Sequence, residues 1–273
     1  MNLAEATELV QEGGALTADQ MQLAVGSVLI PGFSEEELGS LLIALADRGE
    51  TAEEILGAVR ALRSAMIPFP DMPATAVDTC GTGGDGKDSF NVSTATAVVA
   101  AAAGAKIVKH GNRSVSSKCG SADLLEAAGV ALELQPREAS AVLEECGLVF
   151  LYAPAFHPAM RHVAPVRRGL GRRTLFNFVG PLVHPGSVRR QLLGISDAER
   201  LQDYAFLLKS LGCKRGYVVH GAAGADGLTV EMHPDPTVAR SDADQALLPG
   251  ELSALVADAR IMAAVTGRRI SDG

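Results

Sequence analysis

Several kinds of residue are scarce in this 273-residue chain, and each shortage excludes a class of protein. Tryptophan is absent and aromatic residues make up only 4% of the sequence, so aliphatic side chains must supply most of the core. The four cysteines lie far apart and form no CxxC pair, which argues against a thiolate zinc site and favours a reducing compartment. No apolar run approaches the roughly 20 residues that cross a bilayer.

Positive charge is also in short supply. The 24 Lys and Arg residues face 32 Asp and Glu residues, which gives a net charge of −8. Such a balance argues against nucleic acid or an acidic membrane as a partner. The first residues carry Glu5 and Glu8 within an amphipathic pattern, which is not typical of a secretory signal. We therefore expect a cytoplasmic protein that binds neither nucleic acid nor membranes.

The first 66 residues show the spacing of amphipathic helices. Ser34 is followed by three glutamates, and Thr51 opens another helix in the same way, which is typical of capped helix starts. This region carries no cluster of reactive side chains. We interpret it as a packing domain or a dimer-forming domain.

The chemistry is concentrated just after residue 77. The sequence CGTGGDG follows Asp78 and Thr79 at the end of a short apolar run. Asn91, Ser93 and Thr94 then precede an apolar helical run, Ala95–Ala103, as N-cap residues do. A glycine loop that meets a helix N-terminus is suited to bind an anion. The alternative is a tight turn between a strand and a helix, without a ligand.

A second strand, predicted at Ala105–Val108, leads into a basic turn that begins with Lys109 and His110. If the strands are parallel, Lys109 lies at the same edge of the sheet as the glycine loop and offers a point charge for phosphate. A lysine at a strand end is usually solvated, and His110 could instead be a turn histidine bonded to backbone. Both alternatives stay open on the residues alone.

Later strand and helix patterns alternate. Strands are predicted at Val130–Leu134, Leu148–Tyr152 and Gln191–Ile195, with helical periods between them. This order predicts an α/β fold, with a mostly parallel sheet that has helices on both faces plus a smaller all-helical domain. The segment from Ala153 to Pro185 is cut by prolines and rich in arginine, including Arg167. It is either a solvated basic face or a clamp for carboxylate or phosphate.

Four motifs in this order resemble one family. GTGGD, SFNVST, KHGNRSVSSKCGSADLLEAAG and APAFHPAMRHVAPVRRGLGRRTLFNFVGPL are similar to the anthranilate phosphoribosyltransferases, nearly without gaps from about residue 74 to 185. Four ordered motifs are far more specific than a lone glycine motif. The resemblance implies transfer of the phosphoribosyl group from phosphoribosyl pyrophosphate (PRPP) to anthranilate in tryptophan biosynthesis, with Mg²⁺ as cofactor and a homodimer as the assembly.

The resemblance also assigns residues to two substrates. The acceptor, anthranilate, is assigned to Gly81, His110 and Asn112, with Arg167 gripping its carboxylate. No general base is assigned, because an aromatic amine is already neutral near pH 7. The donor, PRPP, is assigned to the residues of the glycine loop, the helix start and the basic turn: Gly81, Thr82, Gly83, Gly84, Asp85, Ser89, Asn91, Val92, Ser93, Thr94, Lys109, His110, Gly111, Asn112, Arg113, Ser114, Val115, Ser116, Ser117 and Ser121.

Magnesium is implied at two places. The resemblance makes Ser93 a ligand of one ion, while an Asp-Glu pair in the family binds a second. In this chain Thr229 and Val230 occupy the positions of that pair, and neither coordinates magnesium as a carboxylate does. The nearest carboxylates are Glu231 and Asp226, which become the candidate ligands. His184 is a milder departure, because the family commonly carries asparagine there.

The resemblance implies two domains. Residues 1–70 form a helical domain completed by returning helices at about 157–185, and residues 71–156 and 186–273 form the PRPP-binding α/β domain, shortened at its C-terminus. Because of the missing Asp-Glu pair, a catalytically weak or inactive family member that binds a phospho-ligand or regulates a partner is the alternative. A pyrimidine-nucleoside phosphorylase is a third possibility, disfavoured by KHGNR and APVRR.

Overall fold

The computed structural model describes residues 1–70, 72–83, 91–114, 119–220 and 227–228. The chain begins with a bundle of four helices. Their bounds are α1 (Leu3–Gln11), α2 (Ala18–Val28), α3 (Glu35–Arg48) and α4 (Ala52–Ala65). The helical N-terminal region predicted from the sequence is confirmed.

Polar residues fix where the bundle helices begin. The side chains of Asn2, Thr17, Ser34 and Thr51 each accept a hydrogen bond from the backbone N–H three residues further on. Each bond satisfies one of the donors that a first helical turn leaves unpaired. The four starts are therefore set by local sequence, and the apolar stripes behind them form the bundle core.

An α/β region follows the bundle. Its strands are β1 (Asp78–Gly81), β2 (Ile107–Gly111), β3 (Leu148–Tyr152), β4 (Arg190–Ile195), β5 (Arg215–His220) and the two-residue β6 (Gly227–Leu228). Its helices are α5 (Val92–Ala102), α6 (Ser121–Ala127), α7 (Pro136–Cys146), α8 (Ala153–Phe156), α9 (Met160–Leu170), α10 (Phe176–Val179) and α11 (Leu201–Ser210).

The strands pair in parallel, as predicted. β1 pairs with β4 and β4 with β5, with Asp78 opposite Gln191 in the register. β2 pairs with β3 in a second ladder, and a single parallel bridge between Val77 and Ile107 joins the two ladders. Because all these strands point the same way, their carboxyl ends lie along one edge, where ligands of α/β proteins bind.

Three predicted elements differ from the observed ones. β2 begins at Ile107 and extends to Gly111, so Lys109 and His110 belong to the strand itself. α5 begins at Val92 instead of Ala95. The predicted strand Val130–Leu134 is wrong, because no described strand pairs with it. Its alternation has another cause, since Leu132 and Leu134 pack on the core from an irregular segment.

The hydrophobic core joins the bundle to later parts of the chain. Buried side chains of α1–α4 form one cluster with Val163 and Val166 of α9, with the segment 175–183, and with residues of β4, β5 and α11. A second cluster packs β2 and β3 against α7. Within the described part of the chain, no helix combines the length and apolar character needed to cross a bilayer.

Candidate functional site

Lys109 lies at the centre of the site. Its side chain is 3% exposed, and its Nζ donates hydrogen bonds to Ser93 Oγ at 3.1 Å and to the carbonyl oxygen of Thr79. Thr79 Oγ1 donates to the carbonyl oxygen of Ser93 at 2.8 Å. Burial lowers the pKa of Lys109, and attraction to Asp78 opposes that shift. Strand β1, the first turn of α5 and strand β2 therefore converge on one ammonium group.

The turn after β1 is held by the neighbouring strand β4. The backbone N–H of Thr82 donates to the carbonyl oxygen of Gly194 at 2.9 Å, and the N–H of Ser196 donates to Thr82 Oγ1 at 3.1 Å. Gly83 has a φ of 65°, a left-handed conformation that favours glycine. A Cβ added at Gly81 would lie 3.3 Å from the carbonyl oxygen of Gly194. Glycine thus lets this chain turn closely against β4.

The N-terminus of α5 opens onto the same place. Asn91 precedes the helix, but its side chain makes no capping bond and instead donates to the carbonyl oxygen of Gly120 at 3.3 Å. Asn91 therefore occupies the predicted N-cap position but does not cap the helix with its side chain. Ser93 and Thr94 lie in the first turn, and the buried Thr94 Oγ1 has no hydrogen-bond partner among the described residues. A helix N-terminus without a side-chain cap is suited to bind an anion.

The basic turn after β2 is fastened to α6. Ser121 Oγ donates to the carbonyl oxygen of Asn112 at 3.2 Å. The guanidinium of Arg113 donates to Glu126 at 2.6 Å and to Asp123 at 3.1 Å, and these bonds raise the pKa of Arg113. The charge of Arg113 is thus engaged by two carboxylates of α6. Its role in donor binding stays a prediction.

Three histidines meet beside Lys109. The ring centroids of His110 and His157 are 5.3 Å apart, and those of His110 and His184 are 5.9 Å apart. His184 uses both nitrogens, since its Nε2 bonds to the carbonyl oxygen of Val108 at 2.9 Å and its Nδ1 accepts from Gly186 N at 3.0 Å. Nε2 of His110 and Nε2 of His157 are buried without a partner among the described residues.

Burial disfavours the charged form of all three histidines. It lowers the pKa of His157 to about 4, that of His110 well below its usual value, and that of His184 as well. The resemblance assigned His110 to both substrates and marked His184 as a departure from the family, but the cluster itself was not predicted. Neutral imidazoles with unpartnered nitrogens can accept a hydrogen bond from a ligand.

Arg167 lies on α9 with its guanidinium carbon 5.6 Å from the ring centre of Phe176. The side chain is half-buried, burial lowers its pKa, and no carboxylate among the described residues forms an ion pair with it. Arg172, by contrast, pairs with Asp47 at 2.8 Å. Arg167 therefore offers a partly desolvated, unneutralised cation of the kind that binds carboxylates.

Asp78 and Gln191 form a polar connection that the sequence did not single out. Asp78 is fully buried, and its two oxygens accept hydrogen bonds from His110 N at 3.2 Å and from Gln191 Nε2 at 2.9 Å. Gln191 Nε2 also donates to the carbonyl oxygen of Pro181 at 2.7 Å. The only sequence signal was a charged residue placed directly after an apolar run.

Several predicted positions lie outside the described residues, and their roles stay predictions. They are Gly84, Asp85 and Ser89 of the glycine loop, Val115, Ser116 and Ser117 of the basic turn, and Asp226, Thr229, Val230 and Glu231 near the predicted second magnesium site. Within the described ranges, no group of three or more His, Cys, Asp or Glu side chains is placed to hold a metal ion.

Comparisons with known proteins identify the family of this chain. The model of the family described as "Glycosyl transferase family, a/b domain" matches residues 73–248. The model described as "Glycosyl transferase family, helical bundle domain" matches residues 4–66. An anthranilate phosphoribosyltransferase of Persephonella marina is 44% identical over 234 residues, which are 85% of this chain and 68% of that protein. One from Pyrobaculum aerophilum is 43% identical over 256 residues, or 93% of this chain and 76% of its own length.

Solved structures of anthranilate phosphoribosyltransferases also align with this chain. The crystal structure of anthranilate phosphoribosyltransferase from Thermus thermophilus aligns with a TM-score of 0.75 and 40% identity, covering 92% of this chain and 80% of that one. The Saccharomyces cerevisiae enzyme in complex with PRPP and Mg aligns with a TM-score of 0.73 and 30% identity, covering 84% and 68%. The chain belongs to the anthranilate phosphoribosyltransferase family.

Proposed function

We propose that this protein transfers the phosphoribosyl group of PRPP to anthranilate and releases pyrophosphate, a step of tryptophan biosynthesis. The observation that carries the proposal is the meeting of Lys109 Nζ with Ser93 Oγ at the N-terminus of α5, close to the turn at Thr82 and Gly83. An ammonium, a hydroxyl and helix amides together suit a diphosphate.

The reaction needs charge stabilisation more than a nucleophile of the enzyme. The anthranilate nitrogen forms a bond to C1′ of the ribose, the bond from C1′ to the pyrophosphate oxygen breaks, and the amine loses a proton. Negative charge grows on the leaving pyrophosphate, where Lys109 and the amides of α5 stabilise it. Because these groups are fixed by β1 and β2, they need little reorganisation as the bond breaks.

Arg167 orients the acceptor. A guanidinium binds a carboxylate through two parallel hydrogen bonds, which fixes the plane of the anthranilate ring. His110 and His157 accept hydrogen bonds from the amine as neutral imidazoles, and Asn112 and Gly81 line the same pocket. We assign no general base, since the amine needs no deprotonation before attack.

Magnesium fits the donor set at the first site. Mg²⁺ prefers oxygen ligands and usually combines one or two protein ligands with substrate phosphates and water. Ser93 Oγ is such an oxygen and lies beside the proposed diphosphate position. The ion, when bound, neutralises part of the pyrophosphate charge. Asp226 and Glu231 are the proposed carboxylates for a second ion.

We also propose that the protein is a cytoplasmic homodimer with a helical domain of residues 1–70 and 157–185 and an α/β domain of residues 71–156 and 186–273. The shared hydrophobic cluster of α1–α4 with α9 supports the helical domain.

Two exposed apolar side chains support a dimer interface. Leu23 of α2 is 61% exposed, and Ile30, which follows that helix, is 62% exposed. Sedimentation velocity of wild type and Leu23→Glu tests the dimer, which the substitution should weaken.

The test of the activity is the loss of anthranilate fluorescence on incubation with PRPP and Mg²⁺. Turnover is expected for the wild-type protein. PRPP binding without turnover would support the alternative of a phospho-ligand-binding member of the family.

Arg167→Ala tests the acceptor site. We expect the KM for anthranilate to rise about 10- to 100-fold and the KM for PRPP to change little, as for a lost charged hydrogen bond. Arg168→Ala, on the exposed face of the same helix, is the matched control and should leave both constants unchanged. An equal rise in both constants for Arg167→Ala would show that this residue is not the carboxylate clamp.

A further inference from the structure

Strands β1 and β2 share regular backbone hydrogen bonds only at their beginning. The N–H of Val77 donates to the carbonyl oxygen of Lys106 at 3.0 Å, and the N–H of Val108 donates to the carbonyl oxygen of Val77 at 3.0 Å. A parallel ladder would continue with evenly spaced bonds to every second residue. The next bonds in that series would join Thr79 N to the carbonyl oxygen of Val108 and then His110 N to the carbonyl oxygen of Thr79.

Side chains take over at that step. His110 N donates to Asp78 Oδ1 at 3.2 Å, and the carbonyl oxygen of Thr79 accepts from Lys109 Nζ. The two strands therefore part directly beneath the proposed diphosphate position. Asp78 and Lys109 satisfy the backbone groups that the parting strands leave without their ladder partners.

The carboxylate of Asp78 is fixed from its other side by β4. Asp78 is opposite Gln191 in the register, and Gln191 Nε2 donates to Asp78 Oδ2 at 2.9 Å and to the carbonyl oxygen of Pro181 at 2.7 Å. Asp78 thus connects β1, β2 and β4 while it is fully buried.

Charge gives Asp78 a second task. The ammonium of Lys109 is buried, and its hydrogen bonds go to the neutral oxygens of Thr79 and Ser93. The other buried acids among the described residues, Glu50 and Glu54, lie at the junction of α3 and α4. Asp78 is therefore the buried acid next to the strand positions that carry Lys109, and an uncompensated buried charge is strongly destabilising.

We propose that Asp78 is a positioning residue of the donor site: it holds the Lys109–His110 segment of β2 in place and balances the ammonium charge without touching the donor. The inference rests on the proposed function and deepens it, because it assigns donor affinity to an acid behind the site.

Asp78→Asn is the first test, since it keeps the volume and removes the charge. We expect its dissociation constant for PRPP with Mg²⁺, measured by calorimetry without acceptor, to rise about tenfold or more. The KM for anthranilate should change much less. Glu54→Gln, which removes a buried acid from the bundle, is the matched control and should leave the PRPP affinity of the folded protein unchanged. PRPP affinity of Asp78→Asn within twofold of wild type would overturn the proposal.

Thermal unfolding of a double variant tests the charge balance. Asp78→Asn should lower the Tm because it leaves a buried ammonium alone, and adding Lys109→Met should restore much of that loss. Where Asp78→Asn fails to fold, the double variant should still fold. Additive losses, or a double variant that also fails to fold, would refute the balancing role.

The proposed reaction can be refuted independently of the role of Asp78. Wild-type protein that binds PRPP but does not consume anthranilate would refute the reaction, while the two measurements above would still decide the role of Asp78. Wild-type protein that does not bind PRPP would overturn both.

Discussion

Glu54 in the helical bundle and Lys109 in the sheet are both buried charges, but their surroundings differ. Glu54 Oε1 accepts from Leu16 N at 2.9 Å, and Oε2 accepts from Thr51 N at 2.8 Å and pairs with the guanidinium of Arg48. These contacts cap α4 and tie it to the loop before α2. The charge of Glu54 is therefore neutralised inside the bundle by Arg48.

Lys109 keeps its charge unneutralised by direct contact. It bonds to a carbonyl oxygen and a hydroxyl, and no carboxylate among the described residues lies within ion-pair distance of its Nζ. Beside it, Thr94 Oγ1 and two imidazole nitrogens have no partner within the same ranges. A stable core rarely leaves buried polar atoms unpaired. The difference between the two regions separates charge that stabilises the fold from charge that can bind an anionic ligand.

Lys109→Met should show the difference between these two buried charges most clearly. We expect kcat/KM for PRPP to fall on the order of 1000-fold, because one preorganised charge at the leaving group is lost. The Tm should fall by only a few degrees, because the desolvation cost saved by removing the ammonium offsets part of the cost of leaving the buried Asp78 carboxylate without its balancing charge. Steady-state kinetics and a thermal melt measure the two effects.

Lys106→Met is the matched control for that variant. Lys106 precedes β2, and its Nζ donates to the last carbonyl oxygens of α7, from Leu143 at 3.3 Å and Glu144 at 3.4 Å. It should lose a little stability and no PRPP affinity. Similar kinetic losses in both lysine variants would show that the site does not depend on Lys109 in particular.

Glu54→Gln is expected to act in the opposite sense. Removing one partner of a buried ion pair should lower the free energy of unfolding by about 2–3 kcal/mol, while the kcat/KM of the folded protein stays unchanged. Urea denaturation with a constant m-value measures the first quantity. A loss of kcat/KM without a loss of stability would contradict the structural role of this charge.

His157 makes stability depend on pH. Its pKa in the folded protein is about 4, below the value near 6.5 expected in the unfolded chain, so the unfolded state binds more protons between these values. Stability is therefore fully present above about pH 6.5 and is lost as the pH falls towards 4. From pH 7 to pH 5 the loss should be about 2 kcal/mol.

His157→Gln should reduce this loss of unfolding free energy at low pH, as measured by urea denaturation at several pH values. His162→Gln, at a half-buried position on α9, is the control and should retain the wild-type slope. An unchanged slope in His157→Gln would assign the pH dependence to the other buried histidines.

Local patterns explain how much of this molecule could be predicted. The capped helices of the bundle and the parallel strands follow from residues close together in the chain, because caps and periodicities are local signals. The end of β2 was placed too early, since Lys109 and His110 were interpreted as turn residues. Their burial depends on β1 and β3, which local periodicity does not report.

The contacts that complete the site are long-range. His184 bonds to the carbonyl of Val108 across 76 residues, and Gln191 bonds to Asp78 across 113 residues. Each side chain has an ordinary sequence context, so nothing nearby in the chain indicates its partner. The histidine cluster and the support of β1 by Asp78 therefore required the folded structure.

Arg113→Ala should have the smallest effect and sharpens the comparison between two cations that the sequence assigned alike to the donor. The guanidinium of Arg113 is exposed and pairs with Glu126 and Asp123, and such surface pairs contribute little. Asp123 also accepts from the N–H of Ser114 at 3.0 Å and from Gly120, so the turn keeps its anchor without the arginine. We expect PRPP affinity by calorimetry to change less than about twofold. A loss comparable to that of Lys109→Met would mean that the Arg113 guanidinium leaves Glu126 and Asp123 when the donor binds. A cation that is neutralised in the free protein would then also bind the ligand.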